Sequence, residues 1–380
     1  MAGNSKKDEL VKELNEILQT TRPDCAIKSG KKVVGYFCSY VPPELLLAAG
    51  TYPVRLSGLG VTDSSSGDAY LSHLTCSFAR SITAGFLDGS FDHLAGQISI
   101  NTCDHVRRAN DAIIAKSNIG FHGFISVPRS FRESLLPWYL EELDRLKAEI
   151  ENHFHLKITE QGLKDAIEKM NAVRLRIKAL DMLRREDQPR LSGSEMLAAT
   201  VAARILPPER FVEIADQLIV SAKESEPVQN IRGRLLLTGG PLDDPRFVRA
   251  IESQGAHIAG DLFCFGTRGL GVEVEQGPKP MESLARAYLY QIPCARMMGE
   301  FPRRYQALLD LYRDCKAQGI IFQRIKFCQI WSSDVHNLRH RLQENPVPLL
   351  VLDREYGTVS TGQIKTRVQG FLESLRGQGK

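Results

Sequence analysis

The sequence predicts an α/β fold of two doubly wound lobes with parallel sheets joined by a helical segment, and three observations carry that prediction. Residues 31–135 alternate short apolar, β-branched runs with amphipathic helical stretches, the pattern that parallel βαβ units produce. Residues 136–230 then change to a Glu, Lys, Arg, Leu and Ala composition at helical spacing with no strand pattern. In residues 231–380 the alternation returns, roughly 200 residues after its first appearance.

In chain order, residues 1–30 contribute an amphipathic helix at about 5–20, followed by a turn around Arg22, Pro23 and Asp24. Lys32 to Phe37 reads as a strand and Pro42 to Ala49 as a helix, with proline in its first turn and Gly50 at its end. Tyr52 to Leu56 is the next strand, and a Ser- and Gly-rich loop from Gly58 to Gly67 leads to a helix at about Thr75 to Leu87. Leu94 to Ile100 and Phe121 to Val127 are two further strands, separated by a helix at about Asp104 to Lys116. In the last third, strands are expected at Arg234 to Leu237, over AHIAGDLFC, at Ile320 to Phe327 and at Val347 to Leu352. Helices are expected over PRFVRAIESQG and at about Pro302 to Ala317, Asp334 to Gln343 and Thr361 to Leu375.

Composition excludes several classes. With 380 residues, 43% apolar and 25% charged, the chain has enough apolar material for two cores and the balance of an ordinary globular protein. The first residues lack the apolar core of a signal peptide, and no run approaches the ~18–20 apolar residues that span a bilayer, so a cytoplasmic protein without a membrane partner is expected. A formal charge of +4, spread along the chain, points to no nucleic-acid partner. Eight cysteines in this length are too few for a disulfide scaffold and favour metal or redox roles.

The placement of those cysteines is the chief functional signal. Cys38, Cys103, Cys264 and Cys328 each follow a strand-like run, where parallel α/β sheets bind ligands. Cys76 opens a predicted helix, whose free N–H groups and dipole favour thiolate. Soft thiolates select iron-sulfur clusters, zinc or copper(I). Structural zinc usually takes paired ligands, and the chain has no CxxC, so a dispersed set favours a cluster over zinc. Cys25, Cys294 and Cys315 lack this placement and read as structural. His105, Arg107 and Arg108 fall in the first turns of the helix after Cys103, either as a solvated face or as anion- or cluster-contacting groups.

The segments GYFCSYVPPELLLAAGTYPVRLSG, CSFARS, INTCDHVRR, KFCQIW and LDREYGTVSTGQIKTRVQGFLE, taken in order, resemble the 2-hydroxyacyl-CoA dehydratase and benzoyl-CoA reductase family. The resemblance implies two flavodoxin-like lobes and a [4Fe-4S] cluster on Cys76, Cys103 and Cys328, with one iron left open. It implies one-electron reduction of an acyl-CoA thioester to a ketyl-type radical anion, driven by a separate ATP-hydrolysing activator. It also implies a homologous cluster-bearing partner subunit in a heteromer. No GxxxxGK[ST] phosphate loop occurs, so no ATP site is expected in this chain. Within that reading, Ser39 and Tyr40 would donate hydrogen bonds to the thioester oxygen, and Arg107 and Arg108 would meet CoA phosphates or the activator.

Gln329, not an acidic residue, follows the KFC cysteine, and LDREY with GQIKTRVQ looks closer to the benzoyl-CoA reductase branch. The alternatives are a 2-hydroxyacyl-CoA dehydratase subunit, a double-cubane cluster reductase, and a non-catalytic scaffold subunit.

Overall fold

Two four-stranded parallel sheets organise the computed structural model, which describes residues 5–19, 24–61, 63–291, 293–344, 347–357 and 361–377. The first sheet comprises β1 (Val33–Tyr36), β2 (Tyr52–Arg55), β3 (Gly96–Ile100) and β4 (Phe121–Ile125), in the order β2-β1-β3-β4. The second comprises β5 (Gly233–Gly239), β6 (Ala256–Leu262), β7 (Gly319–Ile325) and β8 (Leu349–Arg354), in the order β6-β5-β7-β8. The two orders are the same, so the outline repeat in the sequence is a repeat of topology. Strands β3 and β6 are buried along their whole length, as expected where helices cover both faces of a parallel sheet. The expected turn at Arg22 and Pro23 lies outside the described residues, as do Thr358 to Ser360 of the closing segment.

Helices connect and cover the strands. Lys6–Ile17, started by a Ser5–Asp8 capping box, lies against Gly193–Ala202 and Pro208–Glu224. The expected helical stretch consists chiefly of Leu136–Phe154, Glu160–Arg185, Gly193–Ala202 and Pro208–Glu224. Thr159 and Ser192 cap two of these through their side chains, and prolines open two others. Glu160–Arg185 packs against Pro43–Ala48 on one side and β6 on the other, tying the helical region to both sheets.

Three local differences from the sequence reading have simple causes. The helix expected from Asp334 begins at Gln329, directly behind Cys328, because Ser332 bonds back to the Cys328 carbonyl by both its N–H and its hydroxyl. Pro280–Tyr290 forms a helix that the sequence pattern does not announce, isolated between a Gly-Pro-Lys-Pro run and Gln291. A short turn of helix, Ser65–Asp68, interrupts the Ser- and Gly-rich loop. Gly239 ends β5 at φ +122°, and a Cβ there would overlap the Gln323 carbonyl oxygen, so only glycine fits.

His257 on β6 is fully buried, with Nε2 2.8 Å from the Arg184 carbonyl oxygen, which fixes Nε2 as the protonated ring nitrogen. Burial holds the ring neutral and lowers its pKa to about 4. The folded value lies below the unfolded one of about 6.5, so the stability gained by keeping the ring neutral is complete above about pH 6.5. It is lost as the pH falls from there towards 4, a contribution of about 3 kcal/mol. Urea denaturation of wild type between pH 7 and 4 is expected to show this loss, and His257→Gln to flatten that part of the profile. An unchanged slope in the variant would mean that His257 does not titrate this way.

Candidate functional site

Both sheets reverse direction of growth beside their first strands, between β1 and β3 and between β5 and β7. Such switch points leave a crevice outside the carboxyl ends of the strands. Cys103 lies three residues beyond β3 and Cys328 three residues beyond β7, so the two thiols occupy equivalent places in the two sheets. Cys38 lies two residues beyond β1 and Cys264 two beyond β6. Cys76 is the N-cap residue of the Ser77–Leu87 helix, and Cys103 that of Asp104–Lys116.

The distant cysteines converge. Burial pushes the Cys328 thiol up, and Cys76, Cys103 and Cys294 push it further. The Cys76 thiol is raised to about 12, by burial first and then by Cys103. Cys103 is raised by burial, with Cys294 and Cys38 adding to the effect. Each of the three therefore stands within electrostatic reach of the others. At Cys76 the helix-end N–H groups of Phe78 and Ala79 and the charge of Arg80 pull towards thiolate, as the helix-start position predicts, but burial outweighs them. All eight cysteines are free thiols.

The backbone N–H of Cys76 donates to His105 Nδ1 at 3.2 Å, linking the start of one thiol-bearing helix to the first turn of the other. Among the described residues, no group of three or more His, Cys, Asp or Glu side chains surrounds a point closely enough for a single metal ion. A four-iron cube is larger than an ion and takes its thiolates from further apart. Three soft donors, two buried and Cys103 half-buried, and mutually destabilised as thiolates, require a cationic centre to ionise them. That donor chemistry fits an iron-sulfur group, and Cys76, Cys103 and Cys328 are the residues that could hold it.

Ser39 and Tyr40 follow Cys38 into the same region, both buried. The Ser39 hydroxyl donates to the Cys264 carbonyl at 3.1 Å, and its own carbonyl accepts from Gln291 Nε2 at 3.2 Å. The Tyr40 oxygen accepts from the Cys294 N–H at 3.3 Å, and Tyr139 donates to the Tyr40 carbonyl at 2.6 Å. Burial and the neighbouring Cys294 raise the Tyr40 phenol far above its ordinary pKa, so its proton stays in place. Arg107 and Arg108 occupy the exposed face of Asp104–Lys116. There Arg108 pairs with Asp104 at 3.6 Å and Asp111 at 3.4 Å.

Cys294, read from the sequence as structural, stands with the site instead. It raises the pKa of Tyr40, Cys103, Cys264 and Cys328. Arg296, two residues on, is buried against the carbonyls of Val127 and Pro128 and lies 5.4 Å from the Tyr40 ring centroid. No strand end or helical spacing marks this loop in the sequence. A cavity of about 20 Å³ beside it is lined by Phe301, Tyr305, Phe322 and Trp331 among others.

Residues 38–375 match the sequence model of the family described as 2-hydroxyglutaryl-CoA dehydratase, D-component. The chain is 24% identical to the (R)-phenyllactyl-CoA dehydratase beta subunit of Clostridium sporogenes, over 92% of this chain and 93% of that one. It is also 24% identical to a benzoyl-CoA reductase subunit of Thauera aromatica, over 91% of each chain. To the (R)-2-hydroxyglutaryl-CoA dehydratase subunit beta of Acidaminococcus fermentans it is 23% identical, over 91% and 93%.

Proposed function

This chain belongs to the 2-hydroxyglutaryl-CoA dehydratase D-component family, and on that premise we propose that it is the [4Fe-4S]-carrying subunit of an activator-driven benzoyl-CoA reductase. At the coarser level it is a component of an acyl-CoA dehydratase or reductase and works as one subunit of several. The observation that supports a cluster is the electrostatic influence among Cys76, Cys103 and Cys328, the last of them more than 200 residues further along the chain. The cluster, when bound, supplies a single electron at low potential to the acyl thioester.

The chain's own residues do the rest. Tyr40 keeps its proton at every working pH and offers it as a hydrogen-bond donor where negative charge develops on the thioester oxygen. Ser39 holds the end of β1 against the end of β6, and its hydroxyl turns to the substrate by exchanging the Cys264 carbonyl for it. Arg107 and Arg108, on an exposed helix face, meet CoA phosphates or the activator.

A second reading has its own support. Cys38 and Cys294 both act electrostatically on Cys264 and on Cys103, and Cys294 acts on Cys328 as well, so a chain of pairwise influences links six thiols. That set favours a double-cubane cluster. Anaerobic purification separates the readings, with about four irons and four sulfides per chain expected for one cubane and about eight irons for the larger cluster. A chain without iron would be the scaffold subunit. With partner subunit, activator and ATP supplied, ring reduction of benzoyl-CoA is expected, whereas water loss from a 2-hydroxyacyl-CoA would identify the dehydratase.

A further inference from the structure

We propose that Tyr356 is a positioning residue that fixes the Cys76 sulfur relative to the thiols of the second sheet; the inference rests on the thiol site described above. Tyr356 follows β8 by two residues and is buried against the first lobe. Its backbone N–H donates to Ser77 Oγ at 2.8 Å, and its ring meets that of Phe78 edge-on, with centroids 5.3 Å apart. Ser77 and Phe78 are the two residues directly after Cys76.

The hydroxyl end of the same side chain is anchored separately. It accepts from the Gly58 N–H at 2.8 Å, donates to Asp243 Oδ2, and lies 3.3 Å from Ser57 Oγ. Ser57 donates to the same Asp243 oxygen at 2.5 Å. Gly58 makes room for the ring, since a Cβ there would stand 2.7 Å from Tyr356 Cε1. Ser57 and Gly58 come from the loop after β2, whereas Asp243 comes from the loop after β5. One side chain thus ties the outer strands of both sheets together and holds the first turn of the helix that Cys76 caps. A rotation of one lobe against the other would move Ser77 with Tyr356, and Cys76 with Ser77.

The test uses Tyr356→Phe, which keeps the ring packing and removes the hydroxyl bonds. In metal-free protein kept anaerobic, alkylation of Cys76 by iodoacetamide, followed by peptide mass, is expected to speed up at least about tenfold, the factor that losing even one of the hydroxyl's bonds gives a local opening. Cys25 is expected to react at its wild-type rate. In iron-loaded protein, the electron paramagnetic resonance signal of the reduced cluster is expected to change shape at equal iron content. Ser77→Ala, which removes the other contact, should repeat both effects, and Ser77→Thr should restore them. Wild-type alkylation and an unaltered signal in Tyr356→Phe would overturn the proposal. The alkylation readout needs no cluster, so a chain that binds no iron would defeat the functional reading and still leave the positioning role measurable.

Discussion

Cys103→Ser is expected to strip the protein of most of its iron and to lower acyl-CoA activity by at least about a hundredfold, while the chain stays folded. The three effects have separate causes. Serine presents a hard hydroxyl that does not ionise near neutral pH, so it replaces a soft thiolate ligand poorly. Cys103 is only half-buried, and its side chain makes no capping bond at the start of Asp104–Lys116. Serine is among the preferred residues at that position, so helix stability should hold or rise slightly. Iron content, circular dichroism and turnover measured on the same preparation separate loss of the site from loss of the fold. Cys25→Ser is the control, because Cys25 accepts a bond from the Tyr52 hydroxyl at 3.3 Å, and it should keep its iron. Wild-type iron in Cys103→Ser would remove Cys103 from the site.

Asp261→Ala is expected to destabilise the protein by about 2–3 kcal/mol, the cost of leaving a buried cation with one of its two carboxylates and of breaking a charged hydrogen bond. Arg184 is 1% exposed; its Nη2 donates to Asp261 Oδ2 at 2.6 Å and its Nε to Asp181 Oδ1 at 2.7 Å. Asp261 also receives the half-buried Thr267 N–H at 2.8 Å, so its removal leaves that donor without its carboxylate. The Arg184 bond fastens the long Glu160–Arg185 helix to β6, whose end carries Cys264. The double variant Arg184→Met with Asp261→Leu, which removes charge and counter-charge together, should recover most of the loss. Urea denaturation measures both. A loss below about 1 kcal/mol in the single variant would show that water reaches the guanidinium and screens it.

The elements that position the site were legible because each has a local cause. The apolar runs VVGY and IIFQRI read as strands, and prolines and glycines mark the ends of the 43–48 helix. Asp104–Lys116 has the predicted bounds. The Pro280–Tyr290 helix and the early start at Gln329 escaped, since the first is short and isolated and the second depends on hydrogen bonds to the Cys328 carbonyl. The strand-end positions of Cys38, Cys103, Cys264 and Cys328 could be read from the chain alone.

What the sequence determined by itself was the alternation of elements, the repeat, and the cysteines at strand ends, all of which follow from side-chain periodicity within a few residues. Only the tertiary structure decided that Cys294 joins the other thiols, that burial overrides the helix end at Cys76, and that Tyr356 reaches Ser77 from the opposite sheet. Those facts depend on contacts between segments hundreds of residues apart, and on desolvation, which belongs to the assembled surroundings of a group and not to its neighbours in the chain.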